Sequence, residues 1–218
     1  MERGIHLTIK SSSEFAKVLL EGDQWEALKI LHAWQECKSR FNIYNELITP
    51  AMYTVGELWE KNEITVADEH LATAVCDFVI TQTEQQFKFE KNNDLRKALF
   101  PSIVKEHHYL GLKMVSILFN EWNWDVRFLQ SPLPIEHLII YVNKWKPDLI
   151  GLSFSNVTQI EVLKQYLEQL HSHVCYNPEI IIGGRLIGKY DFTSLILNDN
   201  MRLIPNLYDL QSLYKNNG

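Results

Sequence analysis

From Ser11 to about Glu90 the apolar positions recur three and four residues apart, and almost nothing reads as strand. "SSSE" (Ser11 to Glu14) has the S-x-x-E spacing of a capping box, so a first helix opens there. Phe15, Val18 and Leu19 fall on one face of it, and it closes near "EGDQ". Trp25, Leu28, Leu31 and Ala33 mark the expected inner side of a second helix. A third runs from about Phe41 through Trp59, with Pro50 inside it as a kink or break. "TVAD" (Thr65 to Asp68) caps a fourth, whose Leu71, Val75, Phe78 and Val79 are expected inward. Four helices joined by short polar turns predict an antiparallel bundle over residues 1–90.

The polar stretch "EKNNDLRK" interrupts this pattern and predicts a linker over 91–97. Over 98–218 the signals alternate. "ALFPSIV", "WDVRFL", "PDLIGLSFS", "EIIIGG" and "MRLIPN" read as strands. "LGLKMVSILFNEW", "IEHLIIYVNKW" and "QIEVLKQYLEQLHSH" read as helices, and "YDLQSLYK" follows the last short strand. Such alternation predicts βαβ units and a parallel sheet covered on both faces. Pro101 argues that the first strand is an edge or starts late. Ligands of open α/β sheets bind beyond the carboxyl ends of the strands. "KEHHYLG", "SFS" (Ser153 to Ser155) and "GGRLIG" (Gly183 to Gly188) all fall there, so three loops converge on one rim.

Composition changes this picture little. The 218 residues are 46% hydrophobic and 22% charged, an ordinary globular mixture. The net charge of −6 gives no overall basic field, so direct nucleic-acid binding is not expected. The N-terminus lacks a signal-peptide core, and no apolar run reaches the ~18 residues that span a bilayer. Cys37, Cys76 and Cys175 are odd in number and far apart, which fits a reducing compartment. A soluble cytoplasmic protein with no membrane contact is expected.

The sharpest local feature is Glu106-x-His108-x-x-Gly111. The adjacent His107 and His108 read as surface residues, as a catalytic base or as a metal ligand. A carboxylate two residues before a histidine can hold the second ring nitrogen, fixing the tautomer of a metal-bound imidazole. Gly111 would let the next helix begin close to a bulky ligand. His32, His137, His171 and His173 read as surface residues, and Tyr109, Trp122 and Trp124 as packing. No G-x-S-x-G, Walker loop or HExxH occurs, and no catalytic residue is assigned.

Glu/Asp-x-His-x-x-Gly after the first strand, a serine turn ("GLSFS") and a Gly-Gly turn ("IIIGGRLIG") together resemble cobalamin-binding domains. The resemblance implies a helical-bundle cap followed by a Rossmann-like (flavodoxin-like) parallel-sheet domain. It implies His108 as lower axial ligand of the cobalt, with Glu106 orienting it. Ser153 or Ser155 would bond the cofactor's nucleotide tail, which runs into the sheet, and Gly183 and Gly184 would leave room for it. In the bundle, "VGELWEKNEITVADEHLATAV" places nine residues between Trp59 and Glu69-His70. This resembles the cap of light-sensing cobalamin regulators of the CarH/LitR type. Trp59 would pack on the upper face of the corrin, and Glu69 and His70 would contact its adenosyl group.

Three departures accompany the resemblance. No DNA-binding module is visible ahead of the bundle. Glu60 follows Trp59 where a light-sensing member can carry a histidine that captures cobalt. Gln130 and Ser131 stand where a glycine is frequent. The expectation is a stand-alone adenosylcobalamin-binding sensor, not an enzyme, acting through a protein partner or a homo-oligomer in signalling or transcription regulation. The alternatives are a corrinoid carrier of a methyltransferase system and a module for another tetrapyrrole.

Overall fold

The computed structural model describes residues 10–84, 95–103 and 109–215. The chain divides into two compact units, residues 1–87 and 88–218.

In the helical unit several helices begin where a short polar side chain satisfies open N–H groups. Ser11 and Glu14 cap each other reciprocally at α1 (Ser12–Glu21), which ends at Gly22 in the left-handed region (φ 75°). Asp23 caps α2 (Gln24–Gln35) and Ser39 caps α3 (Arg40–Asn42). A π-helical stretch (Ile43–Ile48) follows α3 and leads into α4 (Thr49–Glu60). Helix α5 (Val66–Glu84) completes the bundle. Phe15, Leu19, Leu31, Tyr44, Leu47, Val79 and Ile80 are buried in its core.

Two expectations change here. Pro50 neither breaks nor ends the helix. Its ring would collide with the carbonyl four residues back in α-geometry, but the turn ahead of it is widened, with the Thr49 N–H bonded to the Tyr44 carbonyl. The inner face of α2 is also rotated from the expected one. Ala27, Ile30, Leu31 and Trp34 are buried, while Trp25 is 76% exposed. Trp34 fixes this phase, since its indole N–H donates to the Lys10 carbonyl at 3.0 Å. In α5 the buried row is Ala72, Val75, Cys76, Val79 and Ile80, and Leu71 stays exposed.

The second unit is a five-stranded parallel sheet of order β2-β1-β3-β4-β5. The strands are β1 (Lys97–Pro101), β2 (Asp125–Leu129), β3 (Leu149–Ser153), β4 (Glu179–Gly183) and β5 (Met201–Leu203). The helices are α6 (Leu110–Glu121), α7 (Ile135–Trp145), α8 (Ile160–His173) and α9 (Leu207–Tyr214). This strand order is flavodoxin-like, with its topological switch point between β1 and β3. Leu99, Ile103, Ile150, Leu152, Ile180 and Ile182 join Leu138, Val142, Leu163 and Leu167 in one core. On the other face Phe100 packs edge-on to Phe119 of α6 (5.1 Å), which also meets Trp124 (5.0 Å) and Tyr214 of α9 (5.4 Å).

β1 begins at Lys97, one residue inside the segment read as linker, where it pairs with Asp125. It is also a central strand rather than an edge. The N–H and C=O of Ser102 engage the Leu129 carbonyl (2.9 Å) and the Leu133 N–H (3.2 Å) on the β2 side. Alternation turns the groups of Pro101 toward β3, and the ladder recorded with β3 stops at Leu99↔Ile150. The missing N–H therefore costs no ladder bond. No helix among the described residues is long and apolar enough to cross a membrane.

Candidate functional site: the carboxyl-end rim of the sheet

Strand alternation delivers the rim residues. Leu99 and Ile103 of the β1 segment belong to the core shared with α7 and α8, so Ala98, Phe100 and Ser102 face the opposite side. The β1–β3 ladder pairs Ala98↔Leu149 and Leu99↔Ile150, and the β3–β4 ladder ends at Ser153↔Gly183. At the same offset Ser102, Ser153 and Gly183 form a row across β1, β3 and β4 at their carboxyl ends. One row deeper, Phe100 fills the space over Gly151, where a Cβ would lie 2.4 Å from its ring. The small-residue row is thus the floor at the switch point, and an aromatic ring closes the sheet beneath it.

Around this floor the loops after β3 and β4 are tied together. The Phe154 N–H donates to the Gly183 carbonyl (3.2 Å), and Arg185 Nε donates to the Ser155 carbonyl (3.0 Å). The buried Gln159 accepts at Oε1 from the Asn156 N–H (3.2 Å) and the Ser155 N–H (3.4 Å). Gly184 has φ +131°, and a Cβ there would come within 1.9 Å of the Phe154 carbonyl oxygen. The fold itself therefore requires glycine at 184. Gly183 is different, because a Cβ there would meet nothing nearer than 3.9 Å. Gly111, exposed in the first turn of α6, has nothing within 4 Å. The space beside these two glycines is not used by the described protein atoms.

Of the sequence-predicted residues, the structure brings Ser153, Ser155, Gly183 and Gly184 together on this rim. Ser155 is buried and Ser153 half-buried. Glu106 and His108 lie outside the described residues. The sequence reading missed Gln159 and Arg185, which join the two loops, and Ser102. Ser102 is 2% exposed, and its hydroxyl is buried without a hydrogen-bond partner among the described residues. Alternation from Leu99 would have found it, had Pro101 not suggested an irregular strand.

In the helical unit, Trp59 lies in the last turn of α4 and is 45% exposed. A tight turn follows, with Asn62 at φ 57° and its N–H on the Trp59 carbonyl (2.9 Å). Thr65 then caps α5, exchanging bonds with Asp68 at 2.8 and 3.3 Å. The Thr65 hydroxyl, donating to the Asp68 carboxylate at 2.7 Å, and the Thr65 N–H hold that carboxyl below its usual range. Glu69 is half-buried, accepts from Thr73 Oγ1 at 2.9 Å and lies 3.6 Å from exposed His70 Nε2. Trp59, Glu69 and His70 thus share one end of the bundle. His32, His137, His171 and His173 are exposed, and Trp122 and Trp124 are buried packing.

A charged cleft of about 320 Å3 lies at the opposite, amino ends of the strands, between Arg96, Asp148, Glu179 and Arg202. Its groups are engaged with one another and the backbone. Glu179 meets Arg202 at 3.1 Å and accepts from Tyr214 at 2.5 Å, and Asp148 accepts from the Lys97 N–H at 2.7 Å. It secures strand ends, whereas the rim holds the buried hydroxyl and open glycines that suit a large ligand with polar groups.

Comparison with known proteins agrees with this division. One B12 binding domain model matches residues 12–83 and a second matches residues 96–191. The chain is 26% identical over 141 residues to the HTH-type transcriptional repressor CarH of Myxococcus xanthus. That match covers 65% of this chain and 46% of the repressor, so the chain spans about half the length of this curated relative. The Methanosarcina barkeri monomethylamine corrinoid protein has the same fold, with a TM-score of 0.70 at 14% identity, over 92% of this chain and 94% of that one. The chain therefore carries two B12 binding domains in tandem, a helical module followed by a Rossmann-like module, and it is similar over 141 residues to the repressor CarH.

Proposed function

We propose that the protein is a cobalamin-dependent sensor that takes adenosylcobalamin, responds to light and acts through a protein partner or its own oligomer. The observation that carries this reading is Trp59, Glu69 and His70 at one end of a bundle that matches a B12 binding domain, in a chain similar to a transcriptional repressor. Bound cobalamin would supply a cobalt ion that a protein nitrogen can hold and, in its adenosyl form, a light-labile bond.

The chain's own residues divide the work. His108 offers the imidazole and Glu106 fixes its tautomer. Ser153, Ser155 and Gly183 receive the tail. Trp59 would provide an apolar aromatic surface, and Glu69 and His70 polar contacts, for the adenosyl group. Loss of that group removes those contacts, and the bundle's equilibrium shifts by no more than the binding free energy they represent. Glu60 offers a carboxylate where a second imidazole would be needed, so a bis-histidine adduct is not expected here.

A corrinoid carrier is the second reading, favoured by the likeness of fold to the monomethylamine corrinoid protein. The two readings separate when the protein is loaded with adenosylcobalamin in darkness and then exposed to green light. Spectrum and mass in solution are followed by absorbance and light scattering. A lasting light-dependent change in mass, lost in Trp59→Ala, supports the sensor. Binding with no lasting change in protein state supports the carrier.

A further inference from the structure

We propose that Ser102 contacts the ligand directly. Its hydroxyl, beside that of Ser153 on the floor of the switch-point crevice, bonds a polar atom of the nucleotide tail of the corrinoid. The assignment rests on the corrinoid reading above, but its observations are independent of it.

Three observations converge. A buried hydroxyl without a partner costs about 1–3 kcal/mol, and native folds rarely leave one. Ser102 Oγ is such a group among the described residues, in a residue only 2% exposed. Its place in the fold is where an open sheet of this order binds ligands, between the carboxyl ends of β1 and β3. The third observation is the shape of the floor. Ser102, Ser153 and Gly183 are the small residues of one row, while Phe100 closes the row beneath over Gly151. A group descending into the crevice therefore stops at two hydroxyls rather than passing through the sheet. A hydroxyl both donates and accepts, so it suits a ring nitrogen or a sugar hydroxyl. A nucleotide tail carries both.

The test compares hydroxocobalamin with diaquacobinamide, which has the same macrocycle without the nucleotide. Wild type and Ser102→Ala are titrated with each by absorbance, and both free proteins are melted. Ser102→Ala is expected to bind hydroxocobalamin about tenfold more weakly, the scale of one hydrogen bond, and to bind cobinamide as wild type does. Its free-protein melting temperature is expected to stay level or rise, because an unsatisfied buried group has been removed. A lowered melting temperature would mean that the hydroxyl is already partnered within the fold, and would overturn the assignment. Unchanged hydroxocobalamin affinity, or an equal loss for cobinamide, would overturn it too. If wild type takes up neither corrinoid, the reading beneath it fails and the assignment falls with it.

Discussion

Two adjacent glycines on the rim do different things. Gly184 is compelled by the protein, since its φ of +131° and the Phe154 carbonyl 1.9 Å from a would-be Cβ leave no place for a side chain. Gly183, with 3.9 Å to the nearest atom, is not compelled. Gly184→Ala is therefore expected to cost about 3 kcal/mol in a denaturant melt. Gly183→Ala should leave the melt nearly unchanged and weaken cobalamin binding instead. A severe melt for Gly183→Ala would show that the fold, rather than the ligand, needs that glycine. At this scale the position of Ser153 and Gly183 at the carboxyl ends of their strands was legible, because residue type and strand pattern coincide there. It was not legible for Ser102, whose role depends on which way a single side chain points beside a proline.

Elements follow the same division. The strands were readable because buried parallel strands are short continuous apolar runs, as in "LIGLS" and "EIIIG". The first and fourth bundle helices were readable from their caps, Ser11 to Glu14 and Thr65 to Asp68. The phase of α2 was not, because Trp34 is set by a bond to Lys10 far along the chain. The π-helical stretch ahead of Pro50 leaves no pattern in the apolar spacing. Element docking also sets a pH dependence. Tyr214 of α9 donates to Glu179 of β4, and burial together with that carboxylate raises the pKa of the phenol well above its usual value. The unfolded chain ionises this phenol near about pH 10, while the folded one keeps it neutral. Its contribution is thus complete below about pH 10 and lost as the pH rises beyond it. Tyr214→Phe should lower stability by about 1–2 kcal/mol near neutral pH and flatten the alkaline loss. An alkaline slope identical to wild type would contradict this.

For the molecule as a whole, two modules of one ligand family follow each other in the order the sequence implied. The fold was legible because each half repeats one period many times. The ligand was legible only through motifs, and the decisive pair, Glu106 and His108, is known here by sequence alone. The account stands on the chain binding cobalamin through His108. The most direct measurement is an absorbance titration of wild type and His108→Ala with hydroxocobalamin in darkness. Saturable uptake at one corrinoid per chain is predicted, with a spectral shift that weakens at least tenfold in the variant, the scale of losing one strong ligand contact. No uptake by wild type, or identical uptake by the two proteins, would contradict it.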